Sequence, residues 1–338
     1  MMQEQIKSIF EKFNQLNVIV IGDVMIDAYL WGKVERISPE APVPIVALKH
    51  RESRLGGAAN VALNVQSLGA TPYLVSAIGE GPRSDEFLQL MDEQGLPKDG
   101  IVKCHDRLTT TKFRIIGNNA QMLRVDEEIE DVLEQKHQER LLQVIKNLIA
   151  QKKADVIIFE DYDKGVISQS LIREVVSLAQ SNHIPVTVDP KKRNFMDYQG
   201  VTLFKPNLKE LKEGLKLDLK LDQQDEICQV LRDFQYRQNI DIVLATLSER
   251  GILISRKKGN HELESFSYPA HIRNISDVSG AGDTVISVAS LCLALGLSDE
   301  LIARLSNLAG GLVCEYVGVV PVPKEKLLSE AIRLIHEG

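Results

Sequence analysis

An α/β fold with a largely parallel sheet is predicted by three features of the 338-residue sequence. The first strand candidate, residues 17–22, is a continuous apolar run, as in a strand buried on both faces. From residue 71 onward, β-rich runs alternate with helical patterns. No linker, repeat or low-complexity segment interrupts that rhythm, so one large domain covering 1–338 is expected, with helices on both faces of the sheet.

The N-terminus mixes both charges with periodic Ile and Phe, which reads as an amphipathic helix and not a signal peptide. Residues 17–22 end at Gly22-Asp23, where a buried parallel strand opens on a site, and Asp27 follows. Carboxylates there suit the hydroxyls of a polyol, although both residues could also be solvated loop positions. Residues 28–50 carry three prolines and no helical period, which confines them to an edge or flap. Two alternating runs around Gly117-Asn118-Asn119 form a hairpin signal, and together 28–50 and 104–126 are expected to make a small β lid. Between them, Gly56-Gly57 allow close backbone approach, and Asn60, at the start of a helical pattern, offers a donor and an acceptor.

Further strands are expected at 72–78, 155–160, 185–189, 201–204, 241–246 and 252–256. Helices are expected near 83–94, 134–150, 168–181, 207–217 and 222–239. Charged or polar groups cluster after several strand ends: Asp161 and Lys164, then Asp189 and Lys191, then Lys205, Asn207 and Glu210. Pro206 places Asn207 and Glu210 one helical turn apart, as a functional pair or a capping turn.

Asp277-Val278-Ser279-Gly280-Ala281-Gly282-Asp283-Thr284 opens a long apolar segment, so Gly280 to Asp283 should lie at a helix N-terminus. The first amides of a helix lack internal partners and carry the positive end of its dipole, which makes this an anion site. A carboxylate there would repel a phosphate unless it took a proton from an attacking hydroxyl, the role assigned to Asp283; the plain alternative is a helix N-cap.

A net charge of −7 argues against a broad nucleic-acid or membrane surface. The longest apolar run is too short to span a bilayer. Cys104, Cys228, Cys292 and Cys314 are scattered and read as core residues in a reducing, cytoplasmic compartment, without metal or disulfide. A dehydrogenase is disfavoured because Gly22-Asp23-Val24-Met25 lacks the G-x-G-x-x-G of a dinucleotide site. A binding module without chemistry would have no need of Asp283.

The Gly280–Asp283 stretch resembles the C-terminal signature of the ribokinase-like pfkB sugar kinases, and 55–60 resembles their N-terminal one. The stretches at 36–44, 119–126 and 161–165 are similar to the branch acting on D-glycero-β-D-manno-heptose 7-phosphate; Asp163 stands where many of these carry glycine.

This resemblance implies a three-layer α/β/α sandwich with a lid and ATP-dependent phosphorylation of the sugar's C1 hydroxyl. Asp283 would be the base, with Gly280, Ala281 and Gly282 forming an anion hole. Asp27, Gly56, Gly57, Asn60, Asp161 and Lys164 would meet the sugar. Lys205, Asn207, Thr246, Ser248, Gly251 and Asn307 would meet ATP, with Glu210 acting on Mg²⁺ through water and Asp277 placed to meet a monovalent cation such as K⁺.

Arg36, Lys112, Arg114, Arg124, Lys191, Lys192 and Arg193 are all open to the sugar phosphate, which guanidinium groups bind in pairs, and Arg36, Lys112 and Arg114 are taken as the candidates. A lid-mediated homodimer is expected. No fused nucleotidyltransferase is read in these residues, so a separate enzyme is expected for the next pathway step.

Overall fold

The computed structural model describes residues 2–217, 224–259, 262–271 and 273–336. In chain order the first half contains α1 (Met2–Phe13), β1 (Asn17–Gly22), β2 (Val24–Ile37), β3 (Pro44–Gly57), α2 (Ala58–Ser67), β4 (Thr71–Ile78), α3 (Pro82–Glu93), β5 (Ile101–Lys103), β6 (Thr111–Gly117) and β7 (Ala120–Glu127). The second half adds α4 (Gln135–Ala150), β8 (Val156–Glu160), α5 (Gln169–Ser181), β9 (Val186–Asp189), β10 (Leu203–Phe204), α6 (Leu208–Leu215), α7 (Gln224–Gln238), β11 (Ile242–Thr246), β12 (Ile252–Lys257), β13 (Leu263–Tyr268), α8 (Ala281–Ala294), α9 (Asp299–Val313) and α10 (Lys324–His336).

Nine strands form one sheet in the order β13-β12-β11-β10-β9-β8-β1-β4-β5. The pairs from β11 to β5 are all parallel, whereas β11–β12 and β12–β13 are antiparallel. Alternation within β1 shows why both faces are covered. Val18 and Val20 join one apolar cluster with α1, α2, α3, α8, α9 and α10, while Ile19 and Ile21 join the other with α4, α5, α6 and α7. The result is a three-layer α/β/α sandwich, with the helices on both faces of the sheet that the alternating runs predicted.

Some boundaries differ from the sequence reading. The 201–204 strand shrinks to Leu203–Phe204, and the strand β13 was not anticipated. Residues 222–223 of the predicted helix lie outside the described residues. β2 begins at Val24, so Asp27 sits on the root of a lid strand and not in a loop. Gly56 and Gly57 end β3, and Gly57 takes φ 61° where α2 begins.

The lid is a four-stranded sheet in the order β3-β2-β6-β7. Its β6–β7 turn uses Asn118 and Asn119 at φ 51° and 65°, the left-handed pair that a tight hairpin requires. β2 and β3 pair from Val24–Gly57 out to Ile37–Pro44, while β6 accompanies β2 only from Ile26 to Gly32. The outer part of the lid is therefore a two-stranded arm.

Register aligns the strand ends that carry polar groups: Gly22 pairs with Glu160, and Glu160 with Asp189. A Cβ added at Gly22 would lie 2.0 Å from the Glu160 carbonyl oxygen, so no side chain fits there. Gly22→Ala is expected to destabilise the protein by about 1–3 kcal/mol, as overpacking does, seen as a lower urea midpoint at unchanged slope.

Candidate active site

Gly280 caps α8 with φ 78°, a left-handed conformation that glycine adopts readily. Asp283, in the first turn, is only 4% exposed. Its carboxylate accepts from Asn60 Nδ2 at 2.7 Å and from the Tyr162 hydroxyl at 2.9 Å. These donors come from α2 and from the loop after β8, so three chain segments fix one carboxylate. Burial pushes the Asp283 carboxyl above its usual range; the Asn60 bond pulls it back, while the charge of Asp189 adds to the rise.

Glu160 and Asp189, which the sequence reading left without a role, stand beside Asp283. The three carboxylates bring oxygens within 4.8 Å of one another. Both Glu160 oxygens and Asp189 Oδ1 are buried without a hydrogen-bond partner. Burial, and then the charges of Asp189 and Asp283, holds Glu160 well above the usual carboxylate range. The signal available in the sequence was position: both residues end predicted strands, where parallel sheets build sites.

Lys205 Nζ lies 2.8 Å from Asp189 Oδ2, with both groups buried. Burial works against the ammonium, but Asp189 and Glu210 outweigh it and raise its pKa. The space next to Gly282 is bounded by these groups, since an added Cβ would meet Asp189 Oδ2 and Lys205 Nζ at 3.5 Å. Asn207 and Glu210 form a reciprocal capping box at α6, with bonds of 2.8 and 2.9 Å. The second Glu210 oxygen pairs with Lys191, whose Nζ also lies 5.2 Å from the Tyr162 ring centre. The capping role and the buried setting thus coexist, and Lys191 joins the cleft.

The remaining residues expected at the nucleotide are structurally engaged. Thr246 bridges to Asn207, and Ser248 and Gly251 form the turn between β11 and β12. Asn307 donates to the Pro269 carbonyl at 2.8 Å. Asp277 accepts from the Ser279 amide, the Ser279 hydroxyl and the Gly318 amide, which anchors the loop leading into α8.

On the lid side, Asp27 is buried and paired with Arg114, and Gly56 leaves room for it: an added Cβ there would meet Asp27 Oδ2 at 2.2 Å. Arg114 also stacks on Tyr29, 5.4 Å from its ring centre. Lys112 is held by Asp126 and Glu128 at 3.3 and 3.2 Å, and Arg124 by Asp126 at 2.9 Å.

Other candidates are placed differently from the expectation. Arg36 is exposed nine residues along β2 from Asp27, about 30 Å at the usual strand rise, so one protomer's lid does not bring the two together. The Asp161 carboxylate accepts from the Asp163 amide, Asn194 and the Tyr198 hydroxyl, and burial followed by Asp23 pushes it up to about 7. It is a buried anchor, and the neighbouring Tyr162 is the one that reaches Asp283. Lys164 is bound between Glu128 and Glu130 at 2.8 Å each. Lys192 and Arg193 line a groove with Glu213 and Lys216. Asp23, an alternative to Asp27, accepts three backbone amides, from Tyr162, Lys164 and Val166, and so clamps the loop that carries Tyr162.

No described helix is long and apolar enough to cross a membrane. Among solved structures, Arabidopsis thaliana ribokinase complexed with ribose and ATP has a TM-score of 0.72 at 17% identity, covering 94% of this chain and 99% of that one. Phosphofructokinase-2 from Escherichia coli in complex with fructose-6-phosphate has a TM-score of 0.74 at 16% identity, covering 93% and 98%. In sequence, the chain is 38% identical over 313 residues to the "Bifunctional protein HldE" of Methylobacillus flagellatus, covering 93% of this chain and 62% of that protein. It is 37% identical over 301 residues to the HldE protein of Helicobacter pylori, covering 89% and 63%. The chain therefore spans less than two thirds of the length of these relatives. The model of the "pfkB family carbohydrate kinase" matches residues 15–326. The chain therefore belongs to the pfkB family of carbohydrate kinases.

Proposed function

We propose that the protein transfers the γ-phosphoryl group of ATP to the C1 hydroxyl of D-glycero-β-D-manno-heptose 7-phosphate, giving the 1,7-bisphosphate. The observation that carries the chemistry is Asp283, buried at the α8 N-terminus and oriented by Asn60 and Tyr162. The heptose reading rests on the lid stretches at 36–44 and 119–126 and on the similarity to HldE proteins.

The sugar hydroxyl oxygen attacks the γ-phosphorus, its proton passes to Asp283, and the bond to the β–γ bridging oxygen breaks to release ADP. The α8 amides at Gly280–Gly282 and the Lys205 ammonium stabilise charge on the transferred group. Asp27 receives sugar hydroxyls, and Arg114, already on Asp27, is the cation nearest them for the sugar phosphate. The unpartnered oxygens of Glu160 and Asp189 fit a hard divalent cation such as Mg²⁺, with Glu210 in reach through water. When bound, Mg²⁺ neutralises phosphate charge.

The face of the lid opposite Asp27 supports a homodimer. Leu30, Ile115 and Leu123 are register partners on that face, as are Ala28, Phe113 and Val125. Leu123 and Val125 are 55% and 46% exposed, an apolar surface on an open sheet.

In ³¹P NMR with Mg-ATP, a new anomeric phosphate signal is expected with the heptose 7-phosphate and not with fructose 6-phosphate or ribose. Turnover of another acceptor would retain the kinase but discard the heptose assignment. Asp283→Asn should keep ATP binding and lose about 10²–10⁴-fold in kcat, the share of a general base; full activity would remove Asp283 from the mechanism.

Tyr162 donates to the ionised carboxylate and lowers its pKa. Tyr162→Phe should therefore shift the acidic limb of the kcat/KM profile to higher pH. Sedimentation should give a dimer of the 37.7 kDa chain, converted to monomer by Leu123→Glu with Val125→Glu; a monomeric wild type would end the dimer reading.

A further inference from the structure

A second polar cluster lies where the chain leaves the main sheet for the lid. Cys104 follows β5, and its amide continues the sheet by donating to the Ile78 carbonyl at 2.9 Å. Asp106 stands two residues on, in the segment that leads to β6. His137 comes from the first turn of α4, which packs against β4 and β5. Cys104, Asp106 and His137 each offer a donor atom, and the three atoms lie within 4.8 Å of one another.

His137 is only 4% exposed. One ring nitrogen, Nε2, meets Asp106 Oδ1 at 3.1 Å, while Nδ1 is buried with no hydrogen-bond partner among the described residues. A buried imidazole nitrogen without a partner is costly, so it marks a place where a bonding group is missing. His105 is adjacent as well: its ring centre lies 6.1 Å from that of His137, and its largely exposed side chain brings Nδ1 to 3.8 Å from Asp106 Oδ1.

We propose that Cys104, Asp106 and His137 form a transition-metal site, with zinc the metal its chemistry favours. A thiolate, an imidazole and a carboxylate are the donor types zinc takes, and mixed soft and borderline donors disfavour Mg²⁺ and Ca²⁺. His105 or solvent would complete four-coordination. This donor set separates the site from the all-carboxylate cluster at Asp283. Cys292 is buried in the apolar core, whereas Cys104 has a carboxylate and an imidazole around it.

The metal would tie the segment entering the lid to α4, and so fix the root of β6.

The test is titration of the chelator-treated full chain with Co²⁺ as a spectroscopic probe, followed by Zn²⁺ competition. One equivalent of Co²⁺ should give a thiolate-to-cobalt charge-transfer band that Zn²⁺ bleaches. Cys104→Ser and His137→Gln, checked for folding by circular dichroism, should lose the band and bind Zn²⁺ more weakly by at least the ~10–100-fold typical of a lost supporting group. Absence of the band in the wild-type protein would overturn the proposal, which does not depend on whether any variant folds. Persistence of the band in Cys104→Ser would also overturn it, because the thiolate would then belong to another cysteine. Binding of Co²⁺ without a thiolate band would place the metal at carboxylates instead, with the same consequence. None of these readouts depends on kinase activity, so they stand apart from the fate of the heptose assignment.

Discussion

Three carboxylates held out of water beside one ammonium are the constraint on which the catalytic end of this protein depends. Glu160, Asp189 and Asp283 arrive from two strand ends and one helix start, and the Lys205 ammonium contacts Asp189 among them. Like charges at that separation cannot all remain ionised in a dry site without protons or cations. The parallel sheet enforces the arrangement, because its register sets Glu160 opposite both Gly22 and Asp189. The α8 N-terminus then adds the positive end of its dipole on the same spot. A polyanionic ligand with its cation suits such a site, since each component compensates charge that the protein alone leaves uncompensated.

Around that centre, polar side chains serve position as often as contact. Asp23 holds the loop after β8 by three backbone amides, and that loop presents Tyr162 to Asp283. Asp161, one residue before Tyr162, points into a buried network with Asn194 and Tyr198. Glu210 closes the capping box of α6 and restrains Lys191. In each case one hydrogen-bonded anchor stands behind a group that faces the cleft, so ligand binding requires little local ordering of these groups.

The lid shows the same division. Its inner face carries Asp27, Lys112 and Arg114, each already paired with an opposite charge. Its opposite face carries aliphatic side chains in register. A sheet this small has no second layer of its own, which is why one face remains apolar and partly exposed.

Much of this was legible in the sequence. Periodicity and strand-to-helix alternation fixed the sandwich, the Asn118-Asn119 pair marked the hairpin, and the Gly280–Asp283 turn marked the start of α8, where Asp283 is buried. These are local signals, carried by backbone preferences and by the apolar pattern over a few residues. Side-chain direction at strand ends is not local. Glu160 and Asp161 are adjacent, yet one faces Asp283 and the other a buried anchor, because successive residues near a strand end point to opposite sides. Cys104 and His137 are 33 positions apart, and only the packing of α4 on β5 brings them together. Periodicity and spacing thus determined the architecture, and the resemblance of the short motifs to the sugar kinases pointed to the reaction class. Tertiary packing decided which charged groups share the cleft, because desolvation and pairing depend on neighbours distant along the chain.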